Sequence, residues 1–119
     1  MQNSENGKRE LQFGDIVSIN FLEGAVGHEQ MGNRPAIILS DKPSRLSMVT
    51  IAPITNTDNS FPLHIPLTDT VITTGFILME QIRAVDKKAR NLTFIEAAPK
   101  SVINQVSLIF KAQYQNLLE

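Results

Sequence analysis

The 119-residue sequence has no cysteine. Disulfides, thiolate nucleophiles and cysteine-ligated zinc are therefore excluded. Histidine occurs only twice, as His28 and His64, and no third ligand stands at a metal-binding spacing. No apolar run approaches the roughly 18–20 residues that a membrane helix needs. The first ten residues, Met1 to Glu10, are polar and hold nothing resembling the apolar stretch of a signal peptide or anchor. The expectation is a cytoplasmic protein that makes no membrane contact. An excess of either charge is also missing, since 11 Lys and Arg against 12 Asp and Glu leave a net charge of −1. A protein that coats nucleic acid through bulk charge is not built this way, so any such contact must come from a local site. P-loop, HExxH and nucleophile-elbow patterns are absent. Gly24-Ala-Val-Gly27 matches a bare GxxG, but it lies between strands and not between helices.

What is present is ordinary globular composition, 42% hydrophobic and 19% charged, at a length that fits one domain. Residues 1–10 read as a flexible tail and 11–119 as the domain. From Asp15 to Phe21 the pattern alternates, with Val17, Ile19 and Phe21 on one face, which predicts a half-buried strand. Residues 22–33 contain three glycines and read as a loop. Ala36 to Leu39 predicts a buried strand, and Asp41 to Ser44 a turn. Met48 to Ala52 predicts a further strand closed by Pro53, and Asn56 to Ser60 a polar turn. Phe61 to Leu67 alternates apolar residues with Pro62, His64 and Pro66, the signature of an edge strand. Phe76 to Val85 predicts a long strand or bent pair, and Leu92 to Ile95 a short one. The period then changes. Val102, Ile103, Val106, Ile109, Phe110 and Leu117 recur at helical spacing, and Pro99 suits a first turn, so a helix is expected over about 99–117. The whole predicts a mainly β fold with a C-terminal helix, as a small SH3-like barrel.

Candidate chemistry gathers in a glycine loop ending at Arg34-Pro35, in the stretch Ala52 to Thr57, and at Glu80, Gln81 and Arg83. Four fragments occur in order: Gly14-Asp15-Ile16-Val17, then His28-Glu29-Gln30-x-Gly32-x-Arg34-Pro35-Ala36, then Ala52-Pro53-Ile54-Thr55, then Glu80-Gln81-Ile82-Arg83-x-x-Asp86. Together they resemble the MazF/PemK toxins of type II toxin-antitoxin systems over roughly residues 13–115. The Gly27-His28-Glu29-Gln30 loop is similar to the PemK branch. The resemblance implies a PemK/CcdB-like barrel, a homodimer, and a metal- and cofactor-independent endoribonuclease (an mRNA interferase) that cuts single-stranded RNA and is neutralised by a cognate antitoxin. It implies catalytic roles for Arg34, Thr55, His28 and Glu80, and RNA contacts from Glu29, Gln30, Asn56, Gln81 and Arg83. The PemK branch carries an arginine two residues before the acid, and here that position is Leu78. Arg34 or His28 would have to cover its role.

Such chemistry uses the substrate's own 2′-hydroxyl as nucleophile, giving a 2′,3′-cyclic phosphate and a 5′-hydroxyl. The protein must accept that proton, neutralise charge on the phosphorus and protonate the leaving oxygen. An arginine fork suits the second task and a histidine or carboxylate the first. Each residue also has a plainer role to fill: Arg34 as a surface cation, Thr55 as a turn cap, Glu80 as an acid paired with Arg83, His64 as an exposed strand residue, and Lys87 to Arg90 as a solvated run or one wall of an RNA groove. Two other functions fit a barrel of this size, a non-catalytic binding module and a gyrase-directed toxin of the CcdB type.

Overall fold

A computed structural model describes residues 9–20, 33–57 and 62–118. Seven strands follow in chain order: β1 (Asp15–Asn20), β2 (Asn33–Ile38), β3 (Met48–Thr55), β4 (His64–Pro66), β5 (Phe76–Leu78), β6 (Arg83–Asp86) and β7 (Thr93–Ala97). Helix α1 (Lys100–Gln113) and a short α2 (Gln115–Leu118) end the chain. All strand pairs are antiparallel. The order across the sheet is β4-β5-β3-β2-β1-β7, and β6 also pairs with β3. Strand β3 is long enough to serve two neighbours on one side. Its first half, 48–51, pairs with β6, and its last two residues pair with β5.

Strand alternation sorts the apolar residues into two cores, one on each face of the sheet. Ile16, Ile37, Ala52, Ile54, Ile65 and Ile77 point to one face and pack with Met79 and with Val102 and Val106 of α1. Val17, Ile19, Ala36, Ile38, Val49, Ile51 and Val85 point to the other and form a second cluster inside the curl of the sheet. Each fully buried isoleucine contributes about 1.5–3 kcal/mol through apolar burial. This double burial explains why β2 shows a continuous apolar run where the sequence alternation elsewhere is clean.

Three expectations need correction. The sheet does not close among the described residues, so the SH3-like barrel becomes a curled, open sheet. Strands β6 and β5 share β3, and neither joins β7. Second, Pro53 does not end its strand. It pairs with Ala36 on one side, and on the other it falls between the last pair with β6, Ile51 with Arg83, and the first with β5, Ile54 with Ile77. A residue without an N–H costs nothing at that gap. Third, the helix breaks at Tyr114, whose φ of −123° leaves helical space, so α1 ends at Gln113. Of the two forms read for Phe76 to Val85, the bent pair is the one present, broken by a 3-10 turn at Met79–Gln81. That turn is held from both sides, since the Met79 N–H reaches the Leu63 carbonyl at 3.3 Å and Gln113 Nε2 donates to the Met79 carbonyl at 3.1 Å.

The Gly14-Asp15 fragment turns out to be architectural. Gly14 has φ +85°, donates to the Ile38 carbonyl and accepts from the Ala98 N–H, so it ties β1, β2 and the entry to α1 together. A Cβ there would meet Ile103 Cδ1 at 2.9 Å. Asp15 is 1% exposed, pairs with Arg9, and accepts the Gln12 N–H at 2.8 Å. Those partners satisfy a buried carboxylate that would otherwise be costly. Arg9 in turn stacks over the Phe94 ring, 4.1 Å from its centre, so the last part of the expected tail is fastened to β7.

Candidate active site

The helix occupies one face of the sheet, and of the expected site residues Arg34, Thr55 and Arg83 fall on the other. Register decides this. Arg34 pairs with Ile19, which belongs to the core away from the helix. Ala36 pairs with Pro53, and carrying that register two residues further puts Arg34 opposite Thr55 on the neighbouring strand. Residues facing each other this way in adjacent strands project to the same side, with Cβ atoms roughly 5 Å apart. Thr55 pairs in turn with Phe76, and Phe76 with Pro66. A row of four side chains, Arg34, Thr55, Phe76 and Pro66, therefore crosses β2, β3, β5 and β4 on the helix-free face. Arg34 is exposed and Thr55 half-buried. Arg83 pairs with Ile51 and so joins the same face further along β3, also exposed.

The plainer role predicted for Thr55 is filled as well, because its Oγ1 accepts the Thr57 N–H at 3.2 Å and caps the turn after β3. That bond leaves the hydroxyl hydrogen available to donate. Asn56, the next residue, is exposed and accepts a hydrogen bond from the Thr74 hydroxyl at 3.0 Å. Gly75, with φ +118°, lets the two segments meet. A Cβ at this position would stand 2.4 Å from the Thr55 carbonyl oxygen, so only glycine permits the approach.

Glu80 and Gln81 stand in the 3-10 turn and not in a strand, and both are exposed. The acid expected to pair with Arg83 is bound by His64, whose Nε2 lies 3.0 Å from Glu80 Oε2. The His64 side chain is only 4% exposed, which corrects the expectation of an open strand residue. Sequence reasoning missed the pair because its members are 16 residues apart and on separate elements. The alternation of apolar residues in the edge strand correctly placed His64 off the helix-side core, but no local signal reports what packs above it. His64 stands directly opposite Leu78, the position where an arginine was expected, and Leu78 is 8% exposed. His28, Glu29 and Gln30 lie outside the described residues.

The run from Lys87 to Arg90 is largely structural. Lys87 Nζ donates to the Pro43 carbonyl at 2.8 Å, and Arg90 reaches the Asn20 carbonyl. Asp86 Oδ1 accepts the N–H groups of Lys88 and Ala89 and shapes the turn. Among the described residues no cluster of three or more His, Asp or Glu is arranged to hold a metal ion, and no helix is long and apolar enough to cross a membrane.

The described residues thus form an open antiparallel sheet with a helix on one face and the Arg34–Thr55 row on the other. The family of the chain follows from comparison with known proteins. The family model described as PemK-like, MazF-like toxin of type II toxin-antitoxin system matches residues 12–113, and the chain belongs to that family. It is 37% identical to the Escherichia coli K12 protein named endoribonuclease toxin ChpB, over 88% of this chain and 95% of that one. It is 31% identical to the Escherichia coli protein named endoribonuclease PemK, over 83% of this chain and 78% of that one. The structure is similar to crystalline MazF from Deinococcus radiodurans, with a TM-score of 0.75, 25% identity, and coverage of 90% and 98% of the two chains. The MazE–MazF structure from the same organism gives a TM-score of 0.74 at 21% identity, covering 88% and 95%, a likeness of fold.

Proposed function

We propose that the protein is an endoribonuclease toxin that cleaves single-stranded RNA without a metal, with Arg34 and Thr55 gripping the scissile phosphate. The observation that carries this reading is their placement across neighbouring strands on the helix-free face, in a chain 37% identical to a protein named endoribonuclease toxin. The Arg34 guanidinium offers two parallel N–H groups to the phosphate oxygens, and the Thr55 hydroxyl donates a third bond. Both matter more as charge builds on the phosphorane than in the bound substrate, which is the condition for acceleration.

The reaction is a transesterification. The 2′-oxygen attacks phosphorus and gives its proton to Glu80 or His28, the bond from phosphorus to the 5′-oxygen breaks, and that oxygen takes a proton from the protein. The products are a 2′,3′-cyclic phosphate and a 5′-hydroxyl. DNA lacks the nucleophile and is not cut. Asn56, Gln81 and Arg83 serve as RNA contacts in this reading, together with Glu29 and Gln30. The working unit is a homodimer in the cytoplasm, neutralised by a cognate antitoxin whose acidic, partly disordered segment folds over the site. A solved Mycobacterial endoribonuclease in complex with its cognate antitoxin shares this fold, with a TM-score of 0.67 at 15% identity.

Incubation of the purified protein with a long defined RNA in EDTA tests the proposal. Cleavage is expected, with cyclic phosphate ends, and Arg34→Ala lowers the rate by about 100-fold or more. Intact RNA, or cleavage untouched by Arg34→Ala, rejects the reading.

A further inference from the structure

We propose that His64 is a positioning residue for Glu80, holding one carboxylate oxygen so that the other is presented to the 2′-hydroxyl of the substrate. The inference rests on the reading of Glu80 as a proton acceptor given above. Its starting point is a contact that lies off the helix-side core. β4 is a three-residue strand at the edge of the sheet, and its core contribution comes from Ile65, 2% exposed, which packs against α1. His64 turns the other way, yet its side chain is 4% exposed. A polar ring buried at an edge costs free energy unless it is bonded. Here its Nε2 is bonded, at 3.0 Å, to a carboxylate on another element.

The surroundings fix both partners. His64 is set opposite Leu78 by register, and Pro66, two residues on, restricts the backbone of the same strand. The 3-10 turn that carries Glu80 is clamped by the Leu63 carbonyl on one side and by Gln113 from α1 on the other. The Glu80 side chain remains 26% exposed, so its carboxylate keeps an open side. With Nε2 carrying the proton, the imidazole donates to Oε2 and leaves Oε1 to accept. A glutamate has three rotatable bonds, and a free one at a turn would sample many positions. A proton acceptor must lie within about 3 Å of the hydroxyl it serves, and a misplacement of about 1 Å costs on the order of 100-fold in rate. His64 removes that freedom.

Single-turnover cleavage of an RNA with one cut site, in EDTA, tests this, with affinity measured separately on the same RNA carrying a 2′-O-methyl group at the cut. Glu80→Gln is expected to slow cleavage by about 100-fold or more. His64→Leu slows it by about 10- to 100-fold with affinity unchanged. His64→Gln, whose side-chain amide reaches the place of Nε2, restores most of the loss. In the Glu80→Gln background, His64→Leu adds nothing further, since the two act as one unit. A wild-type rate in His64→Leu beside a slow Glu80→Gln overturns the proposal and leaves Glu80 in its role. A wild-type rate in Glu80→Gln removes that role and the proposal with it. Should His64→Leu fail to fold by thermal melting, His64→Gln decides alone: a folded variant as slow as Glu80→Gln overturns the hydrogen-bond account.

Discussion

Arg34 and Thr55 make different demands on the backbone that presents them. An arginine works at the end of a long side chain and needs only a strand that points it correctly, which the pairing with Ile19 supplies. Replacing it with lysine keeps the charge and loses the fork. Arg34→Lys is therefore expected to cut the cleavage rate by about tenfold or more while the melting temperature stays put. Thr55 is short, so its hydroxyl is only as well placed as its own backbone. Gly75 sets that backbone, because any side chain there collides with the Thr55 carbonyl. Gly75→Ala should thus destabilise the fold by about 2–4 kcal/mol, from a positive φ plus the clash. It should also lower cleavage in whatever fraction stays folded, a coupling that denaturant melts and rate measurements on one preparation would reveal. A Gly75→Ala protein with unchanged melt and rate contradicts the placement of Thr55 described here.

Among the elements, the strands with clean alternation and the amphipathic helix were legible from residue pattern alone, because burial on one face writes its period directly into the chain. The curl of the sheet was not. Whether β7 meets another edge depends on pairings between distant strands, and no local period records them. Pro53 misled for a similar reason: its harmlessness comes from a gap between two partners on the far side of β3. The four ordered fragments singled out Arg34 and Thr55 as candidates, and the strand register sets them opposite one another, whereas the His64–Glu80 pair, joining a strand to a turn, left no such trace. The segment between β4 and β5 shows the same limit. Glu96 on β7 accepts the N–H groups of Val71, Ile72 and Thr73 at 2.9, 3.1 and 2.6 Å, and so fastens a loop whose Val71 is 91% exposed. Burial works against the Glu96 charge, yet the Thr73, Val71 and Ile72 amides outweigh it and hold its carboxyl below the ordinary glutamate value. A lowered folded pKa means stability that is full above the unfolded value, near 4.3, and lost as pH falls through the folded one. Glu96→Ala should therefore lower the melting temperature at pH 7, at a cost of about 1 kcal/mol for a half-buried carboxylate still reached by solvent. The gap to wild type should narrow steadily below about pH 4. An undiminished gap at pH 3 would mean that the loop is fastened by something other than this charge.

For the whole molecule the charge balance sets how RNA is held. With a net charge of −1, long-range attraction for a polyanion is weak, and affinity must come from the few cations that the fold aims at the substrate. The proposed function enlists Arg34 and Arg83 on the helix-free face; Lys87 and Arg90 tie turns to the sheet. Each phosphate neutralised on a single strand contributes roughly −0.7 to the slope of log affinity against log salt. Two contacts predict a slope near −1.4 for one site. The measurement is fluorescence anisotropy on a short RNA blocked by 2′-O-methyl at the cut, titrated across a range of salt. Arg83→Ala should reduce the slope by about one contact and weaken binding to all sequences alike. Arg34→Ala should reduce it by the same amount and slow cleavage by about 100-fold or more as well. A slope several times steeper would enlist the exposed cations beyond this face, Arg45 and Lys88, which line a groove of about 670 Å³ between the turns at residues 44–47 and 86–89. Binding would then extend along β3 to its Met48 end, and Arg45→Ala, without effect in the compact arrangement, would be the variant that flattens the slope.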